Sequence, residues 1–150
     1  MAKKLPPNPL QSEILQAVSS AKTKAAKVDI LKEYRNPALV SLLIWNFDES
    51  IKSAIPEGKV PYTENDKPIG DGISRLGSNQ RMLPNFVVGG NVDLTRTRRE
   101  ALFIELLESL HKDEAELLCL VKDKNIGSKY RVTRNVIAEA FEDIVWGGRT

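Results

Sequence analysis

The sequence predicts an all-α protein: a compact bundle of about six or seven short helices with a long Pro/Gly-rich middle segment. Three observations predict it. Apolar residues recur at three- and four-residue spacing in short blocks, helix-starting residues stand in front of those blocks, and Pro and Gly crowd the stretch from Ile55 to Gly90. With 150 residues, 41% hydrophobic and 28% charged, the chain is sized for one core. That core is expected in a single domain over residues 10–146, between flexible tails at 1–9 and 147–150.

Asn8-Pro9 reads as an N-cap with a first-turn proline, and Leu10, Ile14, Ala17 and Val18 follow at helical spacing up to Ser19-Ser20. A second helix runs through Lys24, Ala25, Lys27, Val28, Ile30 and Leu31, with its lysines on the wet side. Asn36-Pro37 repeats the starting signal ahead of Leu39, Leu42, Leu43 and Phe47, a helix apolar enough to be buried on more than one face. The segment 55–92 is mostly loop, with a short helix around Arg75 to Phe86 and the option of a hairpin at Phe86-Val87-Val88 before Gly89-Gly90-Asn91. Thr97 to Glu100 fits a capping box for the helix carrying Phe103, Leu106, Leu107 and Leu110. After His111-Lys112, Ala115, Leu117, Leu118, Leu120 and Val121 form the next helix, which Asn125-Ile126-Gly127 should terminate. Thr133 then caps a last helix with Val136, Ile137, Ala140 and Phe141.

Several chemistries are disfavoured by what the chain holds. Cys119 is the single cysteine and His111 the single histidine, so no soft-ligand set for zinc or an iron–sulfur cluster exists, and neither residue has a partner for nucleophilic catalysis. Glu64, Asp66 and Asp71 lack the spacing of a calcium loop and read as solvated loop acids. No catalytic residue, metal or cofactor is expected. No apolar run reaches membrane-spanning length, and Met1-Ala2-Lys3-Lys4 leads to Leu5-Pro6-Pro7 rather than to an apolar signal core, so an intracellular protein with no membrane partner is expected.

The net charge is only +2, but it is banded. Residues 1–34 carry a net +3, 74–100 a net +3, 101–116 a net −4 and 117–134 a net +4. The strongest basic band is Lys122, Lys124, Lys129, Arg131 and Arg134 around a helix junction at Gly127, with Lys24 and Lys27 behind it and Lys22, Arg75, Arg81, Arg96, Arg98 and Arg99 as a wider footprint. Cationic side chains flanking exposed N–H donors suit a nucleic-acid phosphate; a solvated surface with local ion pairs is the plainer alternative. Among the aromatics, Trp45 sits in an apolar run and belongs to the core, whereas Tyr62, Phe86 and Trp146 are candidates for a protein-docking surface.

The segment from Glu108 to Gly127, continuing through Val136-Ile-Ala-Glu-Ala-Phe141, resembles the end of the N-terminal helical DNA-binding domain of ATP-dependent DNA ligases. Asp113-Glu114-Ala115 matches the helix opening, and Lys122-Asp123-Lys124-Asn125-Ile126-Gly127 matches the basic motif that precedes the closing helix, with Asn125 in place of its second arginine. Ile14-Leu15, Lys24, Ile30-Leu31 and Leu39-Val-Ser-Leu-Leu43 resemble the opening helices of a phage-type ligase domain, while residues 51–91 align only loosely. Leu43-Ile-Trp-Asn-Phe-Asp48 and Pro56-Glu-Gly-Lys-Val-Pro-Tyr62 resemble phrases in small proteins of tailed phages.

The resemblance implies a freestanding ligase-type domain that follows the backbone and minor-groove shape of duplex DNA without strong sequence preference. It does not extend to ligation. Adenylation needs a nucleophilic lysine in a Lys-x-Asp-Gly motif, and Asp71-Gly72 has Ile69 at that place. The expectation is therefore a non-enzymatic, double-stranded-DNA-binding accessory protein, with Lys122, Lys124, Lys129, Arg131, Arg134, Lys24, Lys27 and Gly127 as the DNA-binding residues. The rival reading is a protein-interaction adaptor or virion structural protein that reuses the fold, with a phage replication, transcription or virion protein as partner. Both place the protein in the cytoplasm of an infected bacterial host or in the virion.

Overall fold

The computed structural model describes residues 9–65 and 73–147. Asn8, Asp66, Ile69, Asp71 and Gly72, on which some of the sequence expectations fall, lie outside the described residues. Six α-helices occur within them: α1 (Gln11–Ser20), α2 (Lys24–Glu33), α3 (Pro37–Phe47), α4 (Arg96–Ser109), α5 (Lys112–Lys122) and α6 (Arg134–Ala140). Short 3-10 turns at Leu76–Ser78, Gln80–Phe86 and Ile126–Ser128 complete an all-α bundle.

Capping chemistry sets most helix starts. The side chains of Thr23, Asn36 and Thr133 accept the N–H groups of Ala26, Leu39 and Val136, and Pro37 takes the first helical position of α3. Helix α1 begins later than the Asn8-Pro9 signal suggests: Leu10 is its N-cap residue, and its N–H donates to Glu13 Oε1 at 2.8 Å. Thr95, not Thr97, caps α4 by accepting Arg98 N–H, which leaves Thr97 inside the first turn and Glu100 free to pair with Arg96. Helix α5 stops at Lys122 because Lys124 turns the chain with a φ of 54°; Gly127, the expected terminator, sits instead in the 3-10 turn that follows.

The core lies where α3 and α5 pack together, and Leu39, Leu42, Leu43, Leu117, Leu118 and Val121 are fully buried there. Around it, α2 packs against both α1 and α6, and α4 packs against α5. The middle segment is pinned by apolar residues, with Phe86 edge-to-face on Phe103 at 5.1 Å. The hairpin option fails: Val87 pairs back with Ser53 in a single antiparallel bridge, held by Ala54 N–H to Phe86 O and Val88 N–H to Lys52 O. Gly90 then passes under Pro84 so closely that a Cβ would lie 1.9 Å from the Pro84 carbonyl oxygen.

One buried carboxylate ties three parts of the bundle. Glu114, in the first turn of α5, accepts the N–H of Gln11 at 2.8 Å and of Leu76 at 3.0 Å. Burial pushes its pKa up, and those two N–H groups oppose the shift.

Candidate functional site

The two basic bands meet across the bundle. Lys27 on α2 donates to the Arg131 carbonyl at 2.5 Å, and Arg131 N–H donates to the hydroxyl of Ser19 at the end of α1 at 2.9 Å. These contacts draw the segment before α6 onto the α1–α2 turn and leave a shallow recess of about 600 Å³ lined by Ser19, Ser20, Ala21, Lys22, Lys27 and Arg131. Three cationic side chains and two hydroxyls face it, and its lining contains no carboxylate. The side chains of Lys22 and Arg131 are exposed and make no ion pair among the described residues. Such a surface suits an oxyanion, with ammonium and guanidinium groups supplying charge-assisted hydrogen bonds.

The other predicted cations divide sharply. Lys24 is exposed one turn before Lys27 and bridges to Glu139 on α6 at 3.1 Å. Arg134 is exposed and its guanidinium lies 4.9 Å from the centre of the Trp146 ring. Lys129 is exposed, pairs with Glu116 and reaches over the Tyr130 ring; the hydrogen bond to Glu116 raises its pKa. Gly127 is exposed beside Ser128 in the 3-10 turn.

Two lysines of the predicted band are bonded to backbone carbonyls. Lys122 is buried, and its ammonium donates to the carbonyls of Pro56 and Gly58, both at 2.9 Å, and to Asp123 Oδ1 at 2.5 Å. Lys124 reaches the Asp48 carbonyl at 2.6 Å, and partial burial lowers its pKa. Both hold the loop after α3 to the end of α5; the Lys122 side chain is enclosed, whereas Lys124 remains partly exposed. In the wider footprint, Arg99 is spent on the carbonyls of Asn85, Asn91 and Leu94, and Arg96 on Glu100.

Sequence reasoning missed the hydroxyls of Ser19 and Ser20. Their signal was present in the Ser-Ser-Ala-Lys-Thr-Lys turn, where two hydroxyls precede two lysines, but only the fold brings Arg131 opposite them. A second cavity, of about 360 Å³, lies between the start of α1, the α2–α3 turn and α5. Its main charged groups are engaged internally: Glu114 holds backbone N–H groups, and Arg35 forms a two-point bond with Asp143 at 2.6 and 2.7 Å.

The residues set aside as non-catalytic have structural surroundings. His111 is the N-cap of α5, with Nδ1 accepting Asp113 N–H at 3.1 Å. Cys119 packs beside Tyr62, and burial pushes the thiol up to about 11 and the phenol to about 12. Trp45 is buried and donates to Ser53. Phe86 is fully buried, so Tyr62, Phe86 and Trp146 do not form one exposed apolar patch. Among the described residues no three His, Cys, Asp or Glu side chains gather as metal ligands, and no helix is long and apolar enough to cross a membrane.

Residues 14–128, well over half of the chain, match the model of a family of unknown function, DUF6433. The chain belongs to this family. The DUF6433 match takes in the α1–α2 turn with Ser19, Ser20, Lys22 and Lys27, and it ends before Arg131, so the recess is built from residues inside and outside the matched region. No curated protein and no solved structure matches the chain significantly.

Proposed function

We propose that the protein is a non-enzymatic accessory protein that binds duplex DNA along its sugar–phosphate backbone, using the face formed by the α1–α2 turn, α2 and the segment entering α6. The observation that carries this reading is the recess between Ser19, Ser20, Lys22, Lys27 and Arg131, where cations from two distant parts of the chain converge with hydroxyl donors and without a lining carboxylate. Lys24 and Lys129, each paired with a glutamate, and Arg134, over the Trp146 ring, stand near these residues in the sequence. Phosphate contacts of this kind fix position without reading bases, which fits the resemblance to a ligase-type domain that follows groove shape. Lys122 and Lys124 serve the reading indirectly by holding the loops of the scaffold.

The test is fluorescence anisotropy on nicked duplex, intact duplex and single-stranded DNA at two salt concentrations. Duplex affinity should fall with salt by about 0.9 decades per decade of salt for each phosphate neutralised. Lys22→Glu/Arg131→Glu should weaken binding at least about tenfold and reduce the salt slope by about 2. Absence of salt-sensitive duplex binding by the wild type, or binding indifferent to the double variant, overturns the reading.

A further inference from the structure

The cavity of about 360 Å³ beside the start of α1 is walled by residues of α1, the α2–α3 turn, the Leu76–Ser78 turn and α5. Its size is that of a small-molecule site. Gln11, at the first position of α1, lines it and is only 4% exposed. Asn36, whose Oδ1 caps α3 by accepting Leu39 N–H at 2.9 Å, donates Nδ2 to Gln11 Oε1 at 3.1 Å. That bond orients the Gln11 carboxamide and leaves Nε2 beside Gly77 of the cavity wall, where a Cβ would lie 3.4 Å from it. Nε2 makes no hydrogen bond among the described residues. An amide donor held in a buried side chain without an acceptor costs stability until something accepts from it.

We propose that this cavity binds an uncharged small molecule through a carbonyl oxygen, which accepts the unused Gln11 Nε2 donor. What the wall has already spent selects that chemistry. Each of its side-chain carbonyl and carboxylate oxygens holds an N–H: Gln11 Oε1 from Asn36, Asn36 Oδ1 from Leu39, and the two Glu114 oxygens from Gln11 and Leu76. A guest therefore meets a donor seeking an acceptor, and the Tyr34 and Ser78 hydroxyls of the wall can donate as well. Charges on the wall are matched, Arg35 by its two-point bond to Asp143, and Glu114 by its two N–H groups with Arg75 nearby. A charged guest would be desolvated there without a counter-charge of its own. Leu10, Ile14 and Pro37 offer apolar contact to the rest of the molecule. The cavity shares no residue with the basic recess, so it stands or falls independently of DNA binding.

Heteronuclear NMR of the isotope-labelled protein tests it, with benzamide as the probe and benzoate and benzylamine as charged controls of similar shape. Benzamide should move the Gln11 side-chain amide resonances and the Gly77 backbone amide saturably, with a dissociation constant of about 1 mM. Benzoate and benzylamine should each bind at least about tenfold more weakly. Gln11→Met removes the donor while keeping the length of the side chain, and should weaken benzamide binding at least about tenfold. Gly77→Val should do the same by covering Nε2, at a position where a Cβ meets nothing else within 4 Å, while circular dichroism stays that of the wild type. The proposal is overturned by a Gln11 side-chain amide unmoved by benzamide up to about 20 mM, by a charged control that binds as tightly as benzamide, or by either folded variant binding benzamide like the wild type.

Discussion

A lysine adds to a surface field only when its ammonium reaches water, and Lys122 shows how much a side chain can depart from its apparent role. Its charge is balanced by one carboxylate, and its remaining hydrogen-bond capacity is met by two carbonyls in the loop after α3. Removing the ammonium takes the cation from Asp123, which is about a quarter exposed and still accepts Gly58 N–H, and leaves two carbonyls without that donor, a cost toward the lower end of the range of about 3–5 kcal/mol for a broken buried pair. Lys122→Met should therefore lower the urea midpoint by an amount corresponding to about 3 kcal/mol, while leaving DNA affinity of the folded fraction unchanged. A loss of affinity in folded Lys122→Met, with stability intact, would return this residue to the binding surface. Lys129, seven residues on in the turn after α5, is exposed and pairs with Glu116 instead. The difference comes from Pro56 and Gly58, loop residues whose approach depends on the tertiary fold.

Helices were the most legible level because their starts are written in local chemistry. Asn36-Pro37 and Thr133 cap the helices they announce, and the aliphatic runs of α3 and α5 are buried, although only the fold shows that they pack on each other. Local rules failed where two candidates stood close together. Thr95 and Thr97 both precede the apolar run of α4, and the Thr97–Glu100 pair fits a capping box; the extended backbone of Thr95 and its bond to Arg98 N–H decide between them. Thr95→Ala should cost about 1 kcal/mol, whereas Thr97→Ala should be neutral or slightly stabilising because alanine is the better interior helix former. Thermal or urea denaturation of the two single variants checks this, and equal losses would contradict the assigned cap. The recess was legible by halves: each basic band was visible, but their meeting depends on α2 packing against α6, with the turn before α6 tied to Lys27 and Ser19. No periodicity in either segment encodes that meeting. The same limit hid Glu114, which reads as an ordinary first-turn acid until α1 and the Leu76–Ser78 turn bring it their N–H groups.

At the scale of the molecule, two carboxyl groups with opposite shifts separate the response of the bundle to acid from that of its C-terminal segment. Glu114 has its pKa raised by burial, so the folded protein takes up that proton more readily than the unfolded chain, and this group favours folding increasingly as pH falls through its raised value. Asp143 is held down to about 2 by the Arg35 guanidinium, so its contribution is present above its ordinary value of 3.8 and is lost as pH falls from there toward 2. The Arg35–Asp143 bond fastens the segment after α6 to the α2–α3 turn, and Gly147 N–H to Asp48 Oδ2 at 2.9 Å fastens it again near its end. Between them Trp146 lies partly exposed against Arg134. Acid should therefore loosen this segment between pH 4 and 2 before the helical core gives way. In a Trp45→Phe background, acrylamide quenching of Trp146 should rise over that interval while the far-ultraviolet circular dichroism of the helices still holds. Asp143→Asn should show the raised quenching already at neutral pH, with a flatter acid response. Simultaneous loss of helix signal and Trp146 protection, or an Asp143→Asn variant quenched like its parent, would mean that the segment is held by the core as a whole and that the Arg35–Asp143 clasp contributes little.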